Sequence, residues 1–195
     1  MDPAPIHEHA LNNLRYIREA MERATAFTSI PGWGGFWVGL TAVGASVYGA
    51  RFIAASPRTW MMVWLGEAIL AAIIAGLTMI RKARRASVPF NSPAARRFFV
   101  SYFAPLIAGA ALTYILGHIG AWKALPATWL LLYGASFVSS GAYSIRVVPV
   151  MGICFMLLGI AACFVSFPAG NALLGCGFGG IHIIFGLIIA RSYGG

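Results

Sequence analysis

Glu67 lies inside a long apolar stretch, and it is the only acidic residue in any such stretch of the sequence. A carboxyl group surrounded by hydrocarbon costs several kcal/mol unless it is protonated, paired or hydrated, so carboxyls at that depth are enriched for proton and cation handling. The competing reading is a protonated glutamate hydrogen-bonded to a neighbouring helix. His182 stands at a comparable place near the middle of the last apolar stretch, and its imidazole is able to exchange a proton near neutral pH. It shares a helical face with Gly175, Gly179 and Gly186, which is also the signature of a packing residue. His118 ends the third stretch one turn beyond Tyr114. Two imidazoles can hold one haem iron, but straight helices would separate His118 and His182 by roughly 10–20 Å in depth. Haem or quinone binding is therefore a further reading, behind one that needs no cofactor.

A hydroxyl stripe is the third clue. Tyr133, Ser136, Ser140 and Tyr143 recur at three- and four-residue steps, which places them on one helical face. Such a face either bonds to a neighbouring helix or lines a hydrated path. Ser136, Glu67 and His182 fall at similar depths in their stretches, and converging faces would make a small polar site in apolar surroundings. The expected ligand or ion pathway is thus Glu67, His182, Ser136, Ser140 and Tyr133.

Other chemistries lack their residues. Cys154, Cys163 and Cys176 all sit in apolar segments without a metal-binding spacing and read as small packing side chains. The run Gly175-Cys176-Gly177-Phe178-Gly179-Gly180 superficially matches a dinucleotide loop, but no strand precedes it. No Ser-His-Asp, Walker, HExxH or paired-carboxylate arrangement occurs. An enzyme acting on water-soluble substrates is not expected, and a lipid-modifying one would need more clustered polar residues.

The elements that must position these side chains follow from composition. Of 195 residues, 59% are hydrophobic and 10% charged, and the mean hydropathy is +0.79. A soluble domain carries about a quarter of its residues as charges, so the bilayer is the expected solvent. Spanning it takes about 20 apolar residues. Six stretches qualify, at 31–50, 59–80, 98–118, 127–144, 147–167 and 171–190. The fold class is accordingly all-α: a polytopic six-transmembrane-helix bundle over residues 29–195, preceded by an amphipathic cytoplasmic helix over 1–28. Leu11, Leu14, Ile17, Met21 and Ala24 form one face of that leading helix, and Arg15–Glu19 and Arg18–Glu22 pair across single turns.

Charge sets the orientation. The net charge of +9 would suit nucleic acid, but the basic residues sit between apolar runs. Placing Arg15, Arg18, Arg23, Arg81, Lys82, Arg84, Arg85, Arg96, Arg97, Arg146 and Arg191 inside leaves only Arg51, Arg58 and Lys123 outside. The expected location is the inner membrane, multi-pass, with both termini cytoplasmic. Trp33 and Trp37 are read as the inner aromatic belt, and Trp60, Trp122 and Trp129 as the outer one. The basic loop from Arg81 to Arg97 would meet anionic lipid headgroups, the leading helix would cap the bundle or dock a cytoplasmic protein, and self-association is compatible with both. Small residues at four-residue spacing, Gly35 with Gly39, Gly109 with Thr113 and Gly117, and Gly175 with Gly179, are expected to let helices approach closely. Leu65-Gly66-Glu67-Ala68 and Leu158-Gly159-Ile160-Ala161 hint at a three-plus-three internal repeat of the kind found in transporters.

The function expected from these residues is a small transporter or channel-like protein with a proton- or cation-binding carboxylate at Glu67. The alternatives are a non-transporting sensor or assembly subunit that docks a cytoplasmic partner, and a haem- or quinone-binding membrane protein.

Overall fold

The computed structural model describes residues 11–14, 27–86 and 91–194. Six helices of sixteen or more residues account for most of what is described: α1 Gly32–Gly49, α2 Pro57–Arg85, α3 Pro93–His118, α4 Leu125–Gly141, α5 Val147–Ala162 and α6 Phe167–Ser192. Proline at the first turn starts several of them, because its missing N–H is one the helix could not bond anyway. Ser56 before Pro57 and Ser92 before Pro93 accept hydrogen bonds from Thr59 N and Ala95 N and cap α2 and α3. Gly120, at φ 75°, ends the turn after α3 in a conformation that other residues resist. Short 3₁₀ turns, Ala50–Phe52 and Trp122–Ala124, extend α1 and precede α4.

Helices α2, α3 and α6 are long and apolar enough to cross a membrane. The other three fall short of the six comparable stretches read from hydropathy: α1 has 18 residues, α4 17 and α5 16. Part of the difference is the turn at residues 142–146, which takes more chain than the two-residue break expected there. The bundle exposes large apolar side chains on its outside, among them Ile69 and Ile73 on α2, Val100 and Ile107 on α3, and Ile153 and Leu157 on α5. A continuous apolar exterior of this kind marks a surface made for lipid or for a partner rather than for water.

Neighbouring helices run antiparallel, and specific contacts fix their registers. Along α1 and α6, Gly32 faces Ala190, Gly39 faces Gly179, and Ser46 faces Gly175. Along α4 and α5, Gly159 faces Leu131, Gly134 faces Gly152, and Gly141 faces Pro149. A Cβ built on Gly134 would lie 2.6 Å from the Gly152 carbonyl oxygen, and one on Gly152 would lie 2.7 Å from that of Gly134. These two glycine seams are the closest approaches in the bundle and supply the dispersion contacts that lipid cannot. The stripe expected on α3 packs less tightly: Gly109 and Gly117 make ordinary contacts of 3.5 Å with Leu132 and 3.4 Å with Met61. Helix α1 also packs on α2, and α4 on α3, whereas the consecutive helices α2 and α3 hardly touch.

One end of the bundle gathers the chain's basic residues. The connection between α2 and α3 is shorter than the loop read from sequence. Helix α2 continues to Arg85 and α3 begins at Pro93, so Arg81, Lys82, Arg84 and Arg85 end one helix while Arg96 and Arg97 begin the next. Lys82 is committed to structure: its Nζ donates to the carbonyls of Ile30 (2.9 Å), Tyr193 (3.0 Å) and Gly194. It thereby ties the entry to α1 and the exit from α6 to the foot of α2. Beside it, Phe27 is extended rather than helical. Its N–H donates to Tyr143 O (2.7 Å), its carbonyl accepts from Ser144 Oγ (2.8 Å), and its ring packs on Phe98 and Phe99. Of the leading amphipathic helix, only the exposed helical residues Leu11–Leu14 are described; the rest of it lies outside the described residues.

Candidate functional site

Helix α2 presents one inward face, Trp60, Trp64, Glu67, Thr78 and Lys82, whose steps of three, four and eleven residues, each close to whole turns, keep it on one side. Glu67 is buried on that face, toward α1. Thr41 of α1 donates its hydroxyl hydrogen to Glu67 Oε1 across 2.8 Å. The same hydroxyl lies 2.9 Å from Val38 O and 3.2 Å from Trp37 O, the carbonyls of the preceding turn. No ion pair includes Glu67, which is the only acidic residue among the described residues.

One to two turns toward the opposite end from Lys82, the seam is closed by Asn171 of α6, buried at 3% exposure. Its Oδ1 accepts from both Trp60 Nε1 (2.8 Å) and Trp64 Nε1 (3.0 Å), and its Nδ2 donates to Ser46 O (3.0 Å). Trp60 then stacks on Trp129 at 5.5 Å, and Trp129 Nε1 donates to Thr113 Oγ1 at 2.8 Å. Five helices are thus joined by one amide and three indoles. Above Asn171 an open groove of about 490 Å³ is lined by Ser46, Val47, Arg51, Ile53 and Pro168. The order along the α1–α2–α6 seam is therefore groove, Asn171, the two indoles, Glu67 with Thr41, Thr78 against Gly34, and Lys82.

His182 belongs to a second group. Its Nε2 is 2.9 Å from the hydroxyl of Tyr133. Tyr133, Phe137, Phe155 and Phe178 surround the ring, with centroids 5.5, 6.4, 5.3 and 6.2 Å away. Nδ1 is buried without a well-formed hydrogen bond, and the backbone groups beside the ring are the carbonyls of Gly177 and Phe178. Those carbonyls belong to a π-helical segment, Gly175–Ile181, that interrupts α6 just before His182. Widened turns of this kind recur at functional positions because they displace backbone groups from the α-helical ladder.

The sequence-selected residues therefore separate. Tyr133 and His182 meet, while Glu67 is hydrogen-bonded to Thr41 and to neither of them. Ser136 and Ser140 are fully buried, and each hydroxyl donates back within α4, to Leu132 O (2.9 Å) and Ser136 O (2.7 Å). His118 is exposed at the end of α3 with its ring stacked on Tyr114. Among the described residues no three His, Cys, Asp or Glu side chains cluster to hold a metal. Trp60 and Trp129 are not belt residues: Trp60 is fully buried and both indoles are hydrogen-bonded inside. Thr41 and Asn171 are the polar residues that sequence reading passed over. Asn171 carried a usable signal, a lone amide in an apolar span with indoles among its surroundings; Thr41 carried none, because threonine bonded to its own helix is common in apolar spans.

Comparisons with protein-family models, with curated proteins and with solved structures found no match to this chain. Function must therefore be argued from the site itself.

Proposed function

We propose that this chain is a six-span inner-membrane protein with both termini cytoplasmic, and that it moves protons or cations along the α1–α2–α6 seam with Glu67 as the binding group. The observation that carries this reading is the placement of Glu67: a buried carboxyl with a single hydroxyl partner, in line between an open groove at one end and the Lys82 clasp at the other. A carboxyl retained at this depth without a cationic partner is costly as a purely structural device. In this orientation the Lys82 end, with Arg81, Arg84, Arg85, Arg96, Arg97, Arg146 and Arg191, faces the cytoplasm and its anionic headgroups, and Arg51, Arg58 and Lys123 face outward.

The test is flux in proteoliposomes. With a pH-sensitive dye inside, Glu67→Gln is expected to abolish pH-dependent flux while circular dichroism and gel filtration remain those of the wild type. Flux that persists in a correctly folded Glu67→Gln variant refutes the proposal. Modification of a single cysteine placed near Arg84 by an impermeant reagent from the periplasmic side would refute the topology separately.

A further inference from the structure

Resting on that transport reading, we infer that the cargo of the Glu67 site is a proton rather than a metal cation, and that Thr41 is the partner whose hydrogen bond reverses as the proton arrives and leaves. The ligand inventory comes first. Divalent cations require about six or more oxygens, and alkali-ion sites in transporters obtain theirs from carbonyls freed where spanning helices unwind. Helices α1 and α2 are unbroken on both sides of Thr41 and Glu67. Their carbonyls stay in the helical ladder, and the site offers one carboxyl and one hydroxyl. The interruption that exists, the π segment of α6, belongs to His182 and Tyr133.

The hydrogen count comes second. Thr41 Oγ1 carries one hydrogen and has three acceptors in reach: Glu67 Oε1 at 2.8 Å, Val38 O at 2.9 Å and Trp37 O at 3.2 Å. With Glu67 ionised, the hydroxyl hydrogen points to the carboxylate. When one proton binds the carboxylate, the new O–H donates to Thr41 Oγ1, and the threonine hydrogen turns to the Val38 or Trp37 carbonyl, a bond threonine commonly makes in helices. Both states are satisfied, one proton is gained, and no other atom moves far. A hydroxyl that both donates and accepts suits this exchange.

The ionisable groups on elements packed against this position are few. Tyr48 and Arg51 lie toward the groove with Arg58, Lys82 shares the inward face of α2 but is bonded to backbone carbonyls at the far end beside Arg81, Arg84, Arg85 and Arg191, Cys176 and His182 stand on α6, and none bonds to Glu67. Protonation is therefore referred to the carboxyl itself and not to a coupled pair.

The experiment compares wild type, Glu67→Gln, Thr41→Val and Thr41→Ser in proteoliposomes. Proton entry is followed by an internal dye in choline buffers free of sodium and potassium, and radioactive sodium and rubidium uptake are followed in parallel. The expected result is Glu67-dependent proton flux in choline alone. It should fall at least about tenfold in Thr41→Val, the worth of one hydrogen bond to a charged group, and recover in Thr41→Ser. The infrared difference spectrum across a pH step supplies a readout of the pair that does not depend on flux. It should contain a carboxylic C=O band that Glu67→Gln removes and Thr41→Val moves to higher frequency. Glu67-dependent sodium or rubidium uptake, with no proton flux in choline, overturns the inference and leaves the transport reading intact. Thr41→Val with wild-type flux and an unmoved band removes the role of Thr41. Flux indifferent to Glu67→Gln removes the transport reading itself.

Discussion

Replacing Asn171 with alanine should destabilise the bundle by an amount that can be worked out from its bonds. The substitution removes the one acceptor shared by Trp60 Nε1 and Trp64 Nε1, at 2.8 and 3.0 Å, at a buried position. The Ser46 carbonyl that Asn171 Nδ2 contacts keeps its bond from Ala50 N–H, so its loss counts for little. Hydrogen bonds between helices in a membrane bundle are worth about 0.6 kcal/mol on average and up to about 1.7, so two orphaned indoles give roughly 1–3 kcal/mol. Reversible unfolding in mixed micelles, followed by circular dichroism and tryptophan emission, measures it. A double-mutant cycle with Trp60→Phe assigns the cause. Removing the Trp60 donor should cost less once Asn171 is already alanine, with a coupling of about 0.6–1.7 kcal/mol. An Asn171→Ala variant within about 0.5 kcal/mol of wild type, or a coupling of zero, would refute the assignment of Asn171 as the clasp of this end.

Other outcomes follow from the same geometry. Gly134→Ala and Gly152→Ala should each destabilise by at least about 1–3 kcal/mol, the usual cost of overpacking, because the added carbon meets a backbone carbonyl. Gly44→Ala, which meets nothing within 4 Å, should be neutral or mildly stabilising by the same unfolding measurement. Ser136→Ala and Ser140→Ala should leave proteoliposome flux within about twofold of wild type, because both hydroxyls are consumed inside α4; a large loss would restore the hydrated-path reading of that stripe. Lys82→Met should speed amide hydrogen exchange by about tenfold or more at residues 30–35 and 190–194, which its ammonium group holds, and leave the α4–α5 seam unchanged.

Much of the helical layout is legible in composition, because hydrophobic length is a property of sequence alone. Helices α2, α3 and α6 announce themselves in this way. The shorter α1, α4 and α5 are harder to bound, since 18, 17 and 16 residues lie at or below the length that hydropathy alone recognises as a span. Glu67 stands out because any acid in an apolar run does, and Tyr133 and His182 were selected for similar reasons and meet at 2.9 Å. What sequence does not carry is azimuth. The Ser136 and Ser140 face has the spacing of a pathway, yet its hydroxyls are spent on their own helix. Gly134 and Gly152 close on each other across a register that only the folded α4–α5 hairpin defines. The basic run from Arg81 to Arg97 reads as a loop because charge hides helix. Its described charges lie on two helix ends instead, and those in the last turn of α2 meet the negative end of its dipole.

The pairing of α1 with α6 also has a bearing on how the molecule is made. The hairpin of α4 and α5 joins segments adjacent in the chain and is able to assemble as soon as both exist. The glycine face of α1, by contrast, finds Gly179, Gly186 and Ala190 only after the four intervening helices have been made. Until then its close-packing surface stays open, and the α1–α6 seam, which joins the most distant segments of the bundle, is the last of its contacts to become available.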